Sequence, residues 1–238
     1  MITNQYKEDF NAVMGKYRAK AIVDFFSSIK IQSIADVGCG PGDVIEKIND
    51  VSDMIKNCTS VFCIDADLKY LDQAKEKFQS DSKFHFIELD VEKNDFPEQK
   101  MDLIFLIDIL EHLHDPLLML NKVKNYMTPE GYVVIIVPNA NSIHRQIGKE
   151  MGFISTIYDL NERDHEVGHQ RYFDFNSLGE LLAKSGLEIV NKSGILLKFL
   201  PNKEMENLSN EYCDALFEVG RNLPEYCGEI FWVCKLNE

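Results

Sequence analysis

Long hydrophobic runs are missing from this 238-residue chain. The longest, Val133–Val137, is about five residues, where a membrane-spanning helix needs about 20. The opening residues, MITNQYKEDF, lack the basic-then-apolar pattern of a signal peptide, so a cytoplasmic protein is expected. Positive charge is scarce: 25 Lys and Arg stand against 39 Asp and Glu, a net charge of −14, with no basic run. Nucleic-acid binding depends on a basic face that displaces counterions, so DNA, RNA and anionic membranes are poor partners. The acidity itself reads as solubility. Six cysteines (39, 58, 63, 213, 227 and 234) include no CxxC pair, which excludes a zinc ribbon or a redox motif, and no metal is assigned. They are expected as small buried apolar residues. Repeats and low-complexity segments are absent too. What remains, 45% hydrophobic and 27% charged, is a globular composition. A single domain of this length buries roughly 70–75% of its unfolded surface and needs no disulfide or metal to fold.

From Ser33 the chain alternates short β-branched runs with helical patterns. Strands are expected over Ser33–Gly38, Val61–Asp65, Phe84–Asp90, Met101–Asp108, Gly131–Pro138, around Glu188–Ser193 and over Glu229–Leu236. Helices are expected over Pro41–Ile55, Leu68–Phe78, Asp115–Met127 and Ser177–Ser185. Such alternation, with strands apolar throughout, implies a parallel α/β sheet doubly wound with helices on both faces. Ligands bind such sheets at the carboxyl ends of the strands, which puts Gly38–Gly42, Asp65, Asp90 and Asp108 on one rim. Segments 140–176 and 199–227 break the alternation and are expected as acceptor-side insertions, with Leu208, Tyr212, Leu216 and Phe217 sharing a helical face. Residues 1–30 form an N-terminal helical segment in which Phe10, Val13, Met14 and Tyr17 recur at helical spacing, starting from Tyr6.

The rim opens with Asp36-Val-Gly38-Cys-Gly40-Pro-Gly42-Asp43, directly after a strand and before a helix. Glycines there let the backbone turn sharply and approach a ligand without a Cβ clash. The spacing is GxGxG, whereas a dinucleotide fingerprint needs GxGxxG and holds pyrophosphate on a helix N-terminus. Asp36 and Asp43 are poor company for pyrophosphate and suit a ligand with cationic groups, such as the sulfonium and ammonium of S-adenosylmethionine.

DVGCGPG, followed in order by Asp65 in VFCIDAD, Asp90 in FIELDVE and then DLIFLIDILEHLHDP, resembles the class I S-adenosylmethionine-dependent methyltransferases over roughly residues 30–140. The resemblance implies a seven-stranded, mostly parallel Rossmann-like sheet with its last strand antiparallel. It implies S-adenosylmethionine as cofactor and S-adenosylhomocysteine as product. Gly38 and Gly40 would pass against the methionine portion and ribose, and Asp36 would face the ammonium. Asp65, with Ala66 beside it, would accept from the ribose hydroxyls. Asp90 would accept from the adenine amino group, with Val91 beside the ring, and Ile107 and Asp108 would lie near the methionine portion. Each Asp is also a natural helix N-cap.

Methyl transfer to a hydroxyl needs a proton removed, which a histidine can do near neutral pH. His112, in LEHLHDP, is one candidate base, with Glu111 and His114 as lesser ones. Asp164-His165-Glu166-Val167-Gly168-His169-Gln170-Arg171-Tyr172 holds the others, His165 and His169, while Arg171 could pair with an anionic acceptor. A similar GHxRxY pattern occurs in methyltransferases of quinone-like, sugar and surface-polysaccharide pathways. The acceptor is therefore expected to be a small polar metabolite, methylated on oxygen, and sugar- or phosphoryl-containing. HEVGH also matches the HExxH zinc-peptidase signature, so a zinc hydrolase is one alternative, though the polar upstream flank opposes it. A catalytically silent S-adenosylmethionine-binding subunit is the other. Oligomeric state is not legible in the sequence.

Overall fold

The computed structural model describes residues 10–237, so Tyr6 lies outside the described residues. Seven strands are formed: β1 (Ser33–Val37), β2 (Ser60–Asp65), β3 (Phe84–Glu88), β4 (Met101–Ile107), β5 (Met127–Pro138), β6 (Leu187–Ile195) and β7 (Glu229–Leu236). They build one sheet in the order β3-β2-β1-β4-β5-β7-β6. The first five pair in parallel, and β7 runs antiparallel to both β5 and β6. This is the doubly wound α/β sheet with a reversed last strand that the sequence predicts.

Alternation along the strands splits the interior into two cores, because successive side chains leave a strand on opposite faces. Ile34, Val61, Cys63, Leu103 and Phe105 meet α1 (Phe10–Phe26), α2 (Asp43–Val51) and α3 (Leu68–Phe78). Ala35, Phe62, Ile64, Ile104 and Leu106 meet α4 (Pro116–Lys124) and α7 (Phe175–Ser185). Local chemistry sets the helix starts: Asp67 accepts from the Lys69 amide, and Asp115 accepts from the Leu118 amide just ahead of Pro116.

Two helices stop earlier than their periodicity predicts. α2 ends at Val51 because Ser52 turns to extended backbone. α4 ends at Lys124 because Met127 already pairs with Met101, so β5 begins four residues before the expected Gly131. Gly131 itself sits where a Cβ would lie 2.9 Å from the Met101 carbonyl oxygen, which makes glycine the residue that permits the irregular register there.

The first insertion carries α5 (Ile143–Glu150) and α6 (Glu162–Val167); the second carries α8 (Asn202–Met205) and α9 (Asn210–Gly220). The apolar face of α9 docks on the chain's own α1. Tyr17 stacks on Phe217 with ring centroids 5.1 Å apart, and its hydroxyl donates to Asp214 at 2.8 Å. Leu216 and Phe217 are buried as expected, but Tyr212 turns outward and Cys213 takes its place. All six cysteines are buried and unpaired. No helix among the described residues is long and apolar enough to cross a membrane.

Candidate active site

The parallel strands deliver their carboxyl ends to one rim, where the glycine loop leaves β1. Gly38, Gly40 and Gly42 have φ of 73°, 52° and 79°, the left-handed region that disfavours any side chain. The amides of Gly38 and Cys39 donate to the Ile64 carbonyl at 2.8 and 3.0 Å, tying the loop to β2. Gly40 donates to Asp65 Oδ2 at 2.8 Å, and the Asp67 amide donates to Asp65 Oδ1 at 2.9 Å. A Cβ on Gly40 would face open space, whereas one on Gly42 would lie 2.7 Å from the Phe78 ring.

Asp36 sits inside β1 and is 2% exposed, with no partner for Oδ2. Burial, and then the neighbouring charge of Asp65, push its carboxyl up to about 7. Ala66 is exposed, and Val91 is buried. Asp90 accepts from Lys93 Nζ at 2.6 Å and from the Glu92 amide at 3.1 Å, and Lys93 holds its carboxyl below the ordinary range. Ile107 belongs to the core beneath α1. Asp108, the next residue, has φ 49°, a left-handed conformation uncommon outside glycine that turns the chain sharply off β4.

Arg18 of α1 joins two strand ends. Its guanidinium lies 2.5 Å from Asp108 and donates through Nε to Glu229 at 2.8 Å, with a second bond to the same carboxylate. Burial works against the charge of Arg18, but Asp108 and Glu229 outweigh it and hold the guanidinium protonated. Burial raises Glu229 even with Arg18 beside it.

From Asp108 a cavity of about 460 Å³ opens between α1, the ends of β4 and β5, and the first insertion. Glu111, His112, Asp164, His169 and Tyr172 share its walls. Glu111 is 1% exposed, and burial followed by the charge of Asp108 raises its carboxyl well above the usual range. The His112 and His169 rings meet edge to face at 4.7 Å. Burial and then His169 lower the pKa of His112, which favours the neutral ring. His169 Nδ1 lies 3.2 Å from Asp164 Oδ1, out of line for a hydrogen bond. Asp164 is pinned from both sides, accepting from the Tyr172 hydroxyl at 2.9 Å and the Asn161 amide at 2.8 Å.

The sequence cluster is divided by one glycine. α6 ends at Val167, and Gly168, with φ 85°, reverses the chain. His165 is left exposed on the helix, outside the cavity, while His169 is carried inward. The two histidines therefore do not lie one turn apart on a helix, the arrangement that HExxH zinc chemistry requires. Arg171 does not line the cavity either; its guanidinium donates to the His114 carbonyl at 3.3 Å.

Arg145, His144 and Lys198 line the cavity and escape the sequence reading. Arg145 is buried over the Tyr172 ring at 3.8 Å and donates to the carbonyls of Ile157 and Asp159, bracing the insertion. His144 is pushed down to about 3 by burial and then by Lys198 and Arg145. Lys198 follows β6 and is lowered to about 8 by burial, against the opposing pull of Glu229. A solitary lysine in the apolar run GILLKFL was the available signal for Lys198; nothing local marks His144.

Residues 12–192 match the sequence model of the family described as a methyltransferase domain. No curated protein sequence matches the chain. Among solved structures, an S-adenosylmethionine-dependent methyltransferase from Mesorhizobium loti superposes with a TM-score of 0.62 at 14% identity, covering 91% of this chain and 97% of that one. A second such enzyme, from Clostridium acetobutylicum, gives 0.59 at 14% identity, covering 94% and 92%. The plantazolicin methyltransferase BpumL, solved in complex with SAH, gives 0.59 at 17% identity, covering 96% and 85%. At these identities the likeness is one of fold.

Proposed function

The chain belongs to the methyltransferase-domain family, with S-adenosylmethionine as its cofactor, and we propose that it moves the methyl group to an oxygen of a small polar acceptor held in the cavity beside Asp108. The observation that carries this reading is the pairing of His112 and His169 on the wall of a cavity that begins where the cofactor rim ends.

The rim suits the cofactor. Gly40 offers bare backbone toward open space, and the buried Asp36 carboxylate has an oxygen without a partner, which a cationic group would satisfy. Asp36 is assigned to the ammonium and Asp65 to the ribose hydroxyls. Each Asp65 oxygen already accepts one backbone N–H and keeps a further lone pair. Ala66, Asp90 and Val91 are assigned to the adenine side, and Gly38, Gly40, Ile107 and Asp108 to the methionine portion. When bound, the cofactor supplies a methyl group on a sulfonium that is ready to leave.

The protein's own task is alignment and activation of the acceptor. Arg18 fixes Asp108, and Asp164 stands 3.2 Å from His169. His112 and His169 activate the acceptor oxygen, with His165 and Arg171 placed at the outer edge of the same insertion. Lys198, still largely protonated at neutral pH, gives the cavity a cationic group that suits an anionic or sugar-like acceptor. A sugar- or phosphoryl-containing precursor of surface polysaccharide is the narrower form of this reading. Six unpaired, buried thiols fit a reducing compartment such as the cytoplasm.

The test is calorimetric titration with S-adenosylhomocysteine, NAD serving as the control, followed by labelled-methyl transfer to metabolite fractions. Binding of S-adenosylhomocysteine alone, with label entering a small polar product, is the expected result. His112→Asn and His169→Asn should each lower turnover by about 10²–10⁴ while S-adenosylhomocysteine affinity is kept. Full turnover in both variants would overturn the acceptor assignment.

A further inference from the structure

Among the described residues, three metal-ligating side chains converge at one place: Glu111, His112 and His169 each present a donor atom within 4.8 Å of the other two. Glu111 is almost wholly buried, and neither carboxylate oxygen has a hydrogen-bond partner outside its own residue. A buried carboxylate left that way is costly unless a cation or donor meets it. The nearby guanidinium cannot serve, because Arg18 is already shared between Asp108 and Glu229.

We propose that Glu111, His112 and His169 hold a divalent transition-metal ion, such as Zn²⁺ or Mn²⁺, at the floor of the acceptor cavity. Two imidazoles and one carboxylate are the donor set that such ions favour over Mg²⁺ or Ca²⁺. An ion bonded at about 2.1 Å to each donor needs donors about 3–4 Å apart, so modest side-chain rotation closes the present spacing. A carboxylate also stands beside the donor set: Asp164 Oδ1 lies 3.2 Å from His169 Nδ1 and could orient that ring once an ion is bound. Three protein donors leave coordination positions open toward the cavity. An acceptor hydroxyl bound there releases its proton to water near neutral pH. The site shares only His169 with the HEVGH segment, and its donors come from two separate rims, the turn after β4 and the turn after α6.

The role in transfer rests on the acceptor assignment above; the existence of the ion does not. The experiment therefore reads metal directly. The full chain is stripped with a chelator, dialysed against Zn²⁺ or Mn²⁺, and assayed for bound metal by elemental analysis, with S-adenosylhomocysteine binding measured on the same samples. One ion per chain is expected, lost at least tenfold in affinity in Glu111→Gln and in His169→Asn and retained in the control His85→Asn at the sheet edge. Should Glu111→Gln not fold, as judged by circular dichroism, His112→Asn replaces it. Failure to retain either metal overturns the proposal, as does stoichiometric metal that these variants leave untouched. Retained S-adenosylhomocysteine binding in those cases keeps the methyltransferase reading standing, whereas loss of that binding in the parent chain strikes the reading itself.

Discussion

The amide of Gly40 donates to the carboxylate of Asp65 at 2.8 Å, so the tip of the glycine loop and the end of β2 form one unit. Two positions separated by 25 residues are thus locked together on the rim proposed to bind the cofactor. Asp65 is both a candidate ligand residue and a strut for the loop.

Asp65→Ala should therefore weaken S-adenosylhomocysteine binding by about 1.5–3 kcal/mol, or about 10- to 150-fold, the range for a hydrogen bond to a charged group. Calorimetry reads the change, and Asp65→Asn, which keeps an acceptor for Gly40, should lose less. Equal losses in the two variants would show that the charge alone matters.

Asp36 predicts a pH dependence of stability. Its folded carboxyl is raised to about 7 from 3.8, so between those values the folded chain holds a proton that the unfolded chain releases. Stability from this group is full below pH 4 and falls as pH rises toward 7, by about 4 kcal/mol in total. Asp36→Asn should flatten that decline in urea unfolding curves and be more stable than the parent at pH 8. It should also bind S-adenosylhomocysteine more weakly, because the carboxylate proposed to face the ammonium is gone.

Arg18→Met removes the one guanidinium that Asp108 and Glu229 share. Leaving the buried Glu229 carboxylate uncompensated should cost about 3–5 kcal/mol at neutral pH. The deficit should shrink as acid protonates Glu229, whose carboxyl burial already raises, and Glu229→Gln in the same chain should recover part of it. A double mutant no more stable than Arg18→Met would mean that the pair does not carry the loss.

Lys198 runs opposite to Asp36. Its ammonium is lowered to about 8 from 10.5 by burial, so the cost of charging it is present below pH 8 and relieved as pH rises toward 10.5. Lys198→Met should stabilise the chain at pH 7 in thermal melts. If the acceptor is anionic, the same variant should raise KM for it and remove a falling limb near pH 8 from the kcat/KM profile.

The strands were legible because burial on both faces makes them continuous in apolar residues: VVIIV at 133–137 can be little else in an α/β chain. The helix over Leu68–Phe78 was legible to the residue, since Asp67 caps it and Leu71 and Ala74 mark its buried side. Ends were less so. The start of β5 at Met127 depends on its pairing with Met101, a contact no local pattern announces. On the rim, the order Gly38, Gly40, Asp65, Asp90, Asp108 could be placed at strand ends because topology alone brings parallel carboxyl ends together. The insertion could not be read in this way. His165 and His169 look equivalent in HEVGH, and Gly168 alone, by its left-handed turn, sends one outward and one in.

By itself the sequence determined the sheet, the glycine loop and the acids beside it, since these follow from side-chain periodicity, backbone freedom and the order of elements. Only the tertiary structure decided the cavity beside Asp108. Glu111 and His112 come from the turn after β4, His169 from beyond α6, Lys198 from the end of β6 and Arg18 from α1. Their meeting depends on how two irregular insertions and an N-terminal helix fold back over the rim. That closure is set by contacts between residues far apart in the chain, such as Tyr17 on Phe217 and Arg145 on Tyr172, and periodicity carries no trace of them.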